Sequence, residues 1–266
     1  MTDRGSGADD DLEGFGYWYD EKQQDAGDLW HRTLIDPGLF ARIGTLATGT
    51  RVLDFGCGNG YIARRLARAG ARVVGIDRSP KLIERARARE TAQPLGIVYH
   101  LGDAADSGMI PAAEFDLVIA NMSLMDIANG AGTIREAARA LVPGGRFIFS
   151  ISHPCFDIDT RSAWVVEGPP GAEAIFRKVT GYRAPHSDRY AWNLPDGRTA
   201  FTSGYHRPLS WYAKELRRSG FVIVDLEEPG PGPDYGLQKV RREWLEEIPL
   251  HLVIEARRDS TPGPSP

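Results

Sequence analysis

The segment VLDFGCGNG, residues 52–60, is where residue type and spacing imply chemistry most directly. Gly56, Gly58 and Gly60 follow an apolar run ending at Asp54-Phe55 and precede a helical pattern. Glycine lets the backbone take positive φ and approach a ligand with no Cβ in the way. A helix starting there offers unpaired N–H groups to the same ligand. A second apolar run ends at Ile76-Asp77, which puts Asp77 23 residues after Asp54. An acidic residue about 20 residues beyond such a turn can bind ribose hydroxyls. A dinucleotide site would want a third glycine where Tyr61 stands. Asp54, two residues before the first glycine, would repel a pyrophosphate but could accept from an ammonium or hydroxyl.

The elements that must position these residues alternate regularly. RVLDF (51–55), RVVGI (72–76), IVYHL (97–101), FDLVIAN (115–121) and RFIFSIS (146–152) read as strands. YIARRLARAG (61–70), SPKLIERARARE (79–90) and GTIREAARAL (132–141) read as helices between them. Ser79 suits an N-cap and Pro80 the first helical position. Such alternation implies βαβ units and a parallel sheet buried on both faces. Residues 1–14 and 259–266 read as flexible tails, and 15–50 as an N-terminal helical lid broken near Asp36-Pro37-Gly38. The core spans 51–152. Residues 153–208, rich in Gly, Pro and aromatics, read as an inserted substrate cap with short strands or turns of its own. Residues 209–258 supply a helix and two last strands that complete the core.

Composition narrows the function classes. The 266 residues carry 42% hydrophobic and 26% charged side chains, as an ordinary globular chain does. A net charge of −4 advertises no nucleic-acid surface. No apolar run is long enough for a membrane span, and the N-terminus has no export signal. Cys57 and Cys155 lie far apart, so a reduced cytoplasmic protein is expected. Two cysteines cannot make a zinc site alone, and no metal is expected.

VLDFGCGNG, VVGIDRSPKLIERAR, GDAAD, FDLVIANMSLMDI and LVPGGRF, in that order, resemble the class I S-adenosylmethionine (SAM)-dependent methyltransferases. The resemblance implies a Rossmann-like α/β fold. Its sheet would be seven-stranded and mostly parallel, with helices on both faces and the last strand antiparallel. It implies SAM as cofactor, S-adenosylhomocysteine as product, and roles for matching residues. Gly56 and Gly58 would face the methionine part, with Asp54 nearby. Asp77 would bind the ribose and Arg78 would lie beside the adenine. Asp103 and Ala104 would meet the adenine edge. Asn121 and Met122 would lie near the methyl group. His31 and Arg32 could reach the SAM carboxylate, a solvated helix face being the alternative.

The acceptor side is less legible. Asn121-Met122-Ser123-Leu124 lacks the Asn/Asp-Pro-Pro-aromatic pattern of enzymes that methylate exocyclic base amines. The paired-glutamate loop of protein arginine methyltransferases is not evident. Cys155 follows the fifth strand, as the nucleophile of RNA cytosine-C5 enzymes does, or is a small packing residue. SISHPCF (150–156), YHRPLSWY (205–212) and GDLWHR (27–32) instead resemble a bacterial small-molecule subgroup, many of whose members serve specialised metabolism. His153, at the end of the fifth strand, is a candidate base, substrate-orienting group or structural hydrogen-bonding residue; His206 is a second catalytic candidate. Trp18, Tyr19, Trp164 and Tyr205 are candidate acceptor-pocket residues, or part of the insertion's own core. The expected activity is methyl transfer to oxygen or nitrogen of a small molecule by a monomer or homodimer. A SAM-binding partner protein without turnover, and an RNA or protein methyltransferase, are the alternatives.

Overall fold

The computed structural model describes residues 11–106, 108, 110–236 and 240–260. The tail expected over 1–14 lies outside the described residues except for 11–14, and that over 259–266 except for 259 and 260. Helix α1 spans Leu12–Gln23, and Asp11 caps it by accepting the Gly14 N–H at 2.8 Å. The tail-to-lid boundary expected at residue 14 therefore falls inside a helix. A π-helical turn, His31–Ile35, leads directly into α2, Asp36–Ile43. Asp36-Pro37-Gly38 starts α2 rather than breaking a helix, because Pro37 occupies its first turn, where no N–H is needed.

The expected βαβ succession follows. Its elements are β1 (Arg51–Phe55), α3 (Tyr61–Arg68), β2 (Arg72–Asp77), α4 (Pro80–Ala92), β3 (Val98–Leu101), β4 (Phe115–Asn121), α5 (Gly130–Ala140) and β5 (Leu141–Ser152). The chain then forms two antiparallel hairpins. One joins β6 (Ser162–Glu167) to β7 (Ala174–Val179), the other β8 (His186–Asn193) to β9 (Thr199–His206). Helix α6 (Leu209–Arg218), β10 (Phe221–Glu227), α7 (Arg242–Glu247) and β11 (His251–Arg258) complete it.

The central sheet has seven strands in the order β10-β11-β5-β4-β1-β2-β3, with β11 antiparallel to both neighbours and the rest parallel. This is the Rossmann-like class I arrangement. Strand alternation divides the core. Leu53 and Phe55 of β1 pack with Ile134 of α5 and Leu216 of α6 on one face. Val52 packs with Leu39 of α2, Ile62 of α3 and Ile83 of α4 on the other. Strand order reverses between β1 and β4, so the crevice beyond their C-terminal ends is where a ligand of such a sheet binds. Among the described residues no helix is long and apolar enough to cross a membrane.

Candidate active site

A cavity of about 550 Å³ opens beyond those strand ends. That lies within the usual range of ligand pockets, roughly 300–1,000 Å³. Its floor is the turn after β1. Gly56 and Gly58 take φ of 67° and 55°, and both line the cavity. A Cβ on Gly56 would stand 2.4 Å from that of Ser123, so only glycine passes there. Asp77, at the end of β2, accepts the N–H of Gly58 at 2.9 Å and of Ser79 at 2.8 Å. Burial nevertheless lifts its pKa, against those two hydrogen bonds and the nearby Arg78. Arg78, Asp103 and Ala104 continue this wall. Asn121 and Met122 close it at the end of β4. The Asn121 amide donates to the Tyr61 hydroxyl at 2.9 Å and accepts from Ser150 Oγ at 2.6 Å, so its orientation is fixed. Met122 holds φ of 48°, a costly backbone for a non-glycine residue.

Two expected cofactor residues do not reach the cavity. Asp54 shares the strand face of Val52 and is buried beneath the turn, with its Oδ2 unpartnered. Burial, reinforced by the charge of Asp77, pushes its pKa well up. Arg32 points to solvent from the π-helical turn. His31, beside it, does line the cavity. Its Nδ1 donates to Asp28 Oδ1 at 2.9 Å, and Gln23 Nε2 lies 2.9 Å from the same nitrogen. Burial raises the Asp28 carboxyl, but the His31 contacts outweigh it and the net pKa falls. Asp28 and Gln23 are also on the cavity wall.

The roof comes from α1 and the β8–β9 hairpin. Phe15 and Trp18 of α1 meet Trp192 of β8 with ring centroids 5.3 and 4.7 Å apart. Tyr19, Tyr190 and Tyr205 add to this aromatic lining. Burial, then Asp28 and Asp77, lifts the Tyr19 hydroxyl far above the usual phenol range, so it stays protonated. Arg207, almost fully buried, donates to the carbonyls of Leu124, Ile127 and Ala128, bracing the loop after β4 against the hairpin.

The two catalytic candidates separate. His206 lines the cavity. Its Nε2 lies 2.8 Å from the Tyr182 carbonyl, which can only accept, so the proton is on Nε2 and Nδ1 carries the lone pair. Burial lowers its pKa, and the charge of His186 adds to the effect. His153 is not on the cavity wall. Its Nδ1 accepts the Cys155 N–H at 3.1 Å and its Nε2 faces Glu228 at 2.8 Å. With both nitrogens engaged and the ring buried, it ties the end of β5 to the loop after β10. Trp164 is also elsewhere: it packs on Trp244 at 5.2 Å and beneath the Arg177 guanidinium at 5.0 Å.

Several lining residues escaped sequence reasoning. Asp28 is one, although it stands three residues before the expected His31 on a helical stretch, a pairing signal in the sequence. Arg207, Trp192 and Asp188 carry no local signal, because the fold brings them in from the hairpin.

A family described as "Methyltransferase domain" matches residues 53–149. The 27-O-demethylrifamycin SV methyltransferase of Amycolatopsis mediterranei is 39% identical over 253 residues, covering 93% of this chain and 81% of that enzyme. The ubiquinone biosynthesis O-methyltransferase of Aromatoleum aromaticum is 37% identical, but the match spans only 38% of this chain and 44% of that enzyme. Among solved structures, an S-adenosylmethionine-dependent methyltransferase of Mesorhizobium loti superposes with a TM-score of 0.66 at 29% identity, over 84% of this chain and 96% of that one. With likeness to the rifamycin enzyme along nearly its whole length, and the glycine turn, Asp77 and strand order of the class on one framework, the chain belongs to the SAM-dependent methyltransferases.

Proposed function

We propose that the protein transfers the methyl group of SAM to an oxygen or nitrogen of a small acceptor carrying an aromatic or otherwise flat apolar part. The observation that carries this is a single cavity with two unlike ends: a glycine turn and Asp77 at one, aromatic rings and His206 at the other. The residues fit SAM. Gly58 leaves open backbone, where a Cβ would stand 3.3 Å from Tyr19 Cε1 and 4.0 Å from Leu82 Cδ1. Asp77 would take the ribose hydroxyls, with Arg78, Asp103 and Ala104 around the adenine. Gly56, Asn121, Met122, Gln23, Asp28 and His31 would surround the methionine part. When bound there, SAM supplies an electrophilic methyl on a sulfonium.

The chain's own contribution is alignment, exclusion of water and removal of one proton. Alignment alone is worth up to about 7–11 kcal/mol. The roof of Phe15, Trp18 and Trp192 keeps water from the reacting atoms. His206 is the group suited to take a proton from an acceptor hydroxyl or amine: its tautomer is set by Tyr182, and its lowered pKa keeps it neutral at pH 7. A positioned base of this kind contributes about 10²–10⁴-fold. Both cysteines are free thiols, which supports a reducing, cytoplasmic setting. The likeness to a rifamycin enzyme supports a place in specialised metabolism.

The test is calorimetric titration with S-adenosylhomocysteine, with NAD as the control, followed by SAM turnover on phenol, amine and thiol acceptors. Micromolar binding of the homocysteine compound alone, with turnover on a phenol or amine, is expected. Binding without turnover on any acceptor class would favour a non-catalytic SAM-binding protein. No binding would remove the cofactor assignment.

A further inference from the structure

One residue of the glycine turn faces away from the cavity. Asn59 lies between Gly58 and Gly60, is fully buried, and does not line the pocket. Its amide is saturated. Nδ2 donates to Asp20 Oδ1 and to the Gln24 carbonyl, each at 3.0 Å, and Oδ1 accepts the Tyr61 N–H at 3.3 Å. Two acceptors on one side and an N–H donor on the other fix which end is which.

Both acceptors belong to the C-terminal end of α1. Gln24 ends that helix with a φ of 47°, a strained position for a side-chain-bearing residue, and its carbonyl is one that Asn59 satisfies. Asp20 Oδ1 is shared with Arg89 at 2.6 Å, and Oδ2 lies 3.3 Å from Arg85, both arginines from α4. Tyr19 and Gln23, from the same turns of α1, cover the cavity above Gly58. Other contacts also hold α1: Ser79 Oγ donates to the Leu12 carbonyl at 3.3 Å, and at the far end the Asp11 N–H donates to the Phe201 carbonyl of β9.

We propose that Asn59 is a positioning residue that fastens the covering helix α1 to the cofactor turn, so that the turn's geometry sets whether Tyr19 and Gln23 sit closed over the bound ligand. The proposal rests on the assignment of SAM to this turn. An asparagine suits the task because one short amide supplies two donors and one acceptor. Alanine would take one donor from the Gln24 carbonyl and leave Asp20 Oδ1 to Arg89 alone. Cofactor bound against Gly56 and Gly58 would hold residue 59 in place, and the two hydrogen bonds would carry that constraint to α1. A closed α1 would then slow escape of the ligand more than its entry.

The experiment compares the full chain with Asn59→Ala, Asp20→Ala and the double variant. Dissociation of S-adenosylhomocysteine is followed by stopped-flow tryptophan fluorescence, and amide exchange over residues 12–24 is measured without ligand. Asn59→Ala should speed dissociation about tenfold with association nearly unchanged, and should raise exchange over 12–24. The double variant should dissociate more slowly than the product of the two single effects predicts, because both changes remove the Asn59–Asp20 hydrogen bond. Multiplying rates in the double variant, or unchanged exchange over 12–24, would overturn the proposal. Asp20→Ala leaves the turn untouched, so it carries the test if Asn59→Ala folds poorly. Failure of the unaltered chain to bind the ligand would count against the cofactor reading, while the exchange arm would still judge the tether.

Discussion

On the sheet side of the cavity the wall is mostly backbone and short side chains held by regular secondary structure. Gly56, Gly58, Asp77 and Asn121 stand at the ends of β1, β2 and β4, and each is fixed by strand register or a hydrogen bond within about 3 Å. On the roof side the wall is large side chains from α1 and the β8–β9 hairpin, joined by ring packing between Trp18, Phe15 and Trp192. The shape of the floor is set by the register of the sheet. The roof can change its rings without disturbing the sheet. A shared cofactor and a variable acceptor call for that division, and it implies that damage to one side should leave the other's function measurable.

His206→Ala would break this comparison most visibly. Turnover should fall about 10²–10⁴-fold while affinity for S-adenosylhomocysteine changes less than twofold. An equal loss of affinity would show that floor and roof are not separable. The pH profile sharpens the point. His206 is active when neutral, and its pKa is lowered, first by burial and then by His186. Turnover should therefore stay level through neutral pH and fall only below the ordinary histidine range of about 6.5. His206→Ala should lose that inflection.

Asp77→Ala strikes the floor. A charge-assisted hydrogen bond is worth about 1.5–3 kcal/mol, so affinity should drop roughly 10- to 150-fold. The residual turnover at saturating SAM should keep the unaltered pH profile; a displaced profile would mean that the floor also tunes the base. His153→Ala should change turnover no more than about threefold yet lower the melting temperature, because the Cys155 N–H loses its acceptor. A hundredfold loss of turnover with the fold intact would return His153 to the reacting centre.

A last effect, on stability and not on turnover, concerns His251, which accepts the Trp30 indole N–H at 3.1 Å and is buried, with its pKa pushed down to about 3. The unfolded chain takes up this proton near pH 6.5 while the folded one does not until about 3. Stability should be full above about 6.5 and fall as the pH drops, by at most about 1.4 kcal/mol per unit. Denaturant melts of His251→Gln should lack that share of the fall and match the unaltered chain at pH 8.

The floor was legible in the sequence for the reason that makes it work. Backbone recognition demands glycines and a carboxylate at strand ends, and both the residues and the βα periodicity survive in a linear reading. Asp54 shows the limit: its type was read correctly, but β-strand alternation points it under the turn. The roof is legible only in part: Trp18, Tyr19 and Tyr205 stand out by type, but its contacts join distant segments, as Trp18 does with Trp192. Helix α1 lies mostly within the helical lid expected over 15–50, and its earlier start at Leu12 has a local reason. Two of its three buried residues are Gly14 and Gly16, poor helix formers that suggest a flexible tail. A Cβ on Gly16 would come within 3.0 Å of the Lys81 side chain, so this glycine serves close packing on α4. Of the roles open to His153, the hydrogen bonds to Cys155 and Glu228 favour the structural one; strand-end position says where a residue emerges, not that Glu228 waits behind it.

The π-helical turn at His31–Ile35 has a consequence for how this chain can vary in length. It accommodates one more residue than an α-helical turn, and the Thr33 carbonyl within it is taken by the Gly232 N–H at 2.7 Å. Deleting one residue there would restore ordinary α-helical winding and remove the wide turn that presents the Thr33 carbonyl to Gly232. The hairpin loops bear no such constraint. Across homologous genes, insertions and deletions should accumulate around residues 168–172 and 194–198, while the stretch from Asp28 to Asp36 keeps a constant count.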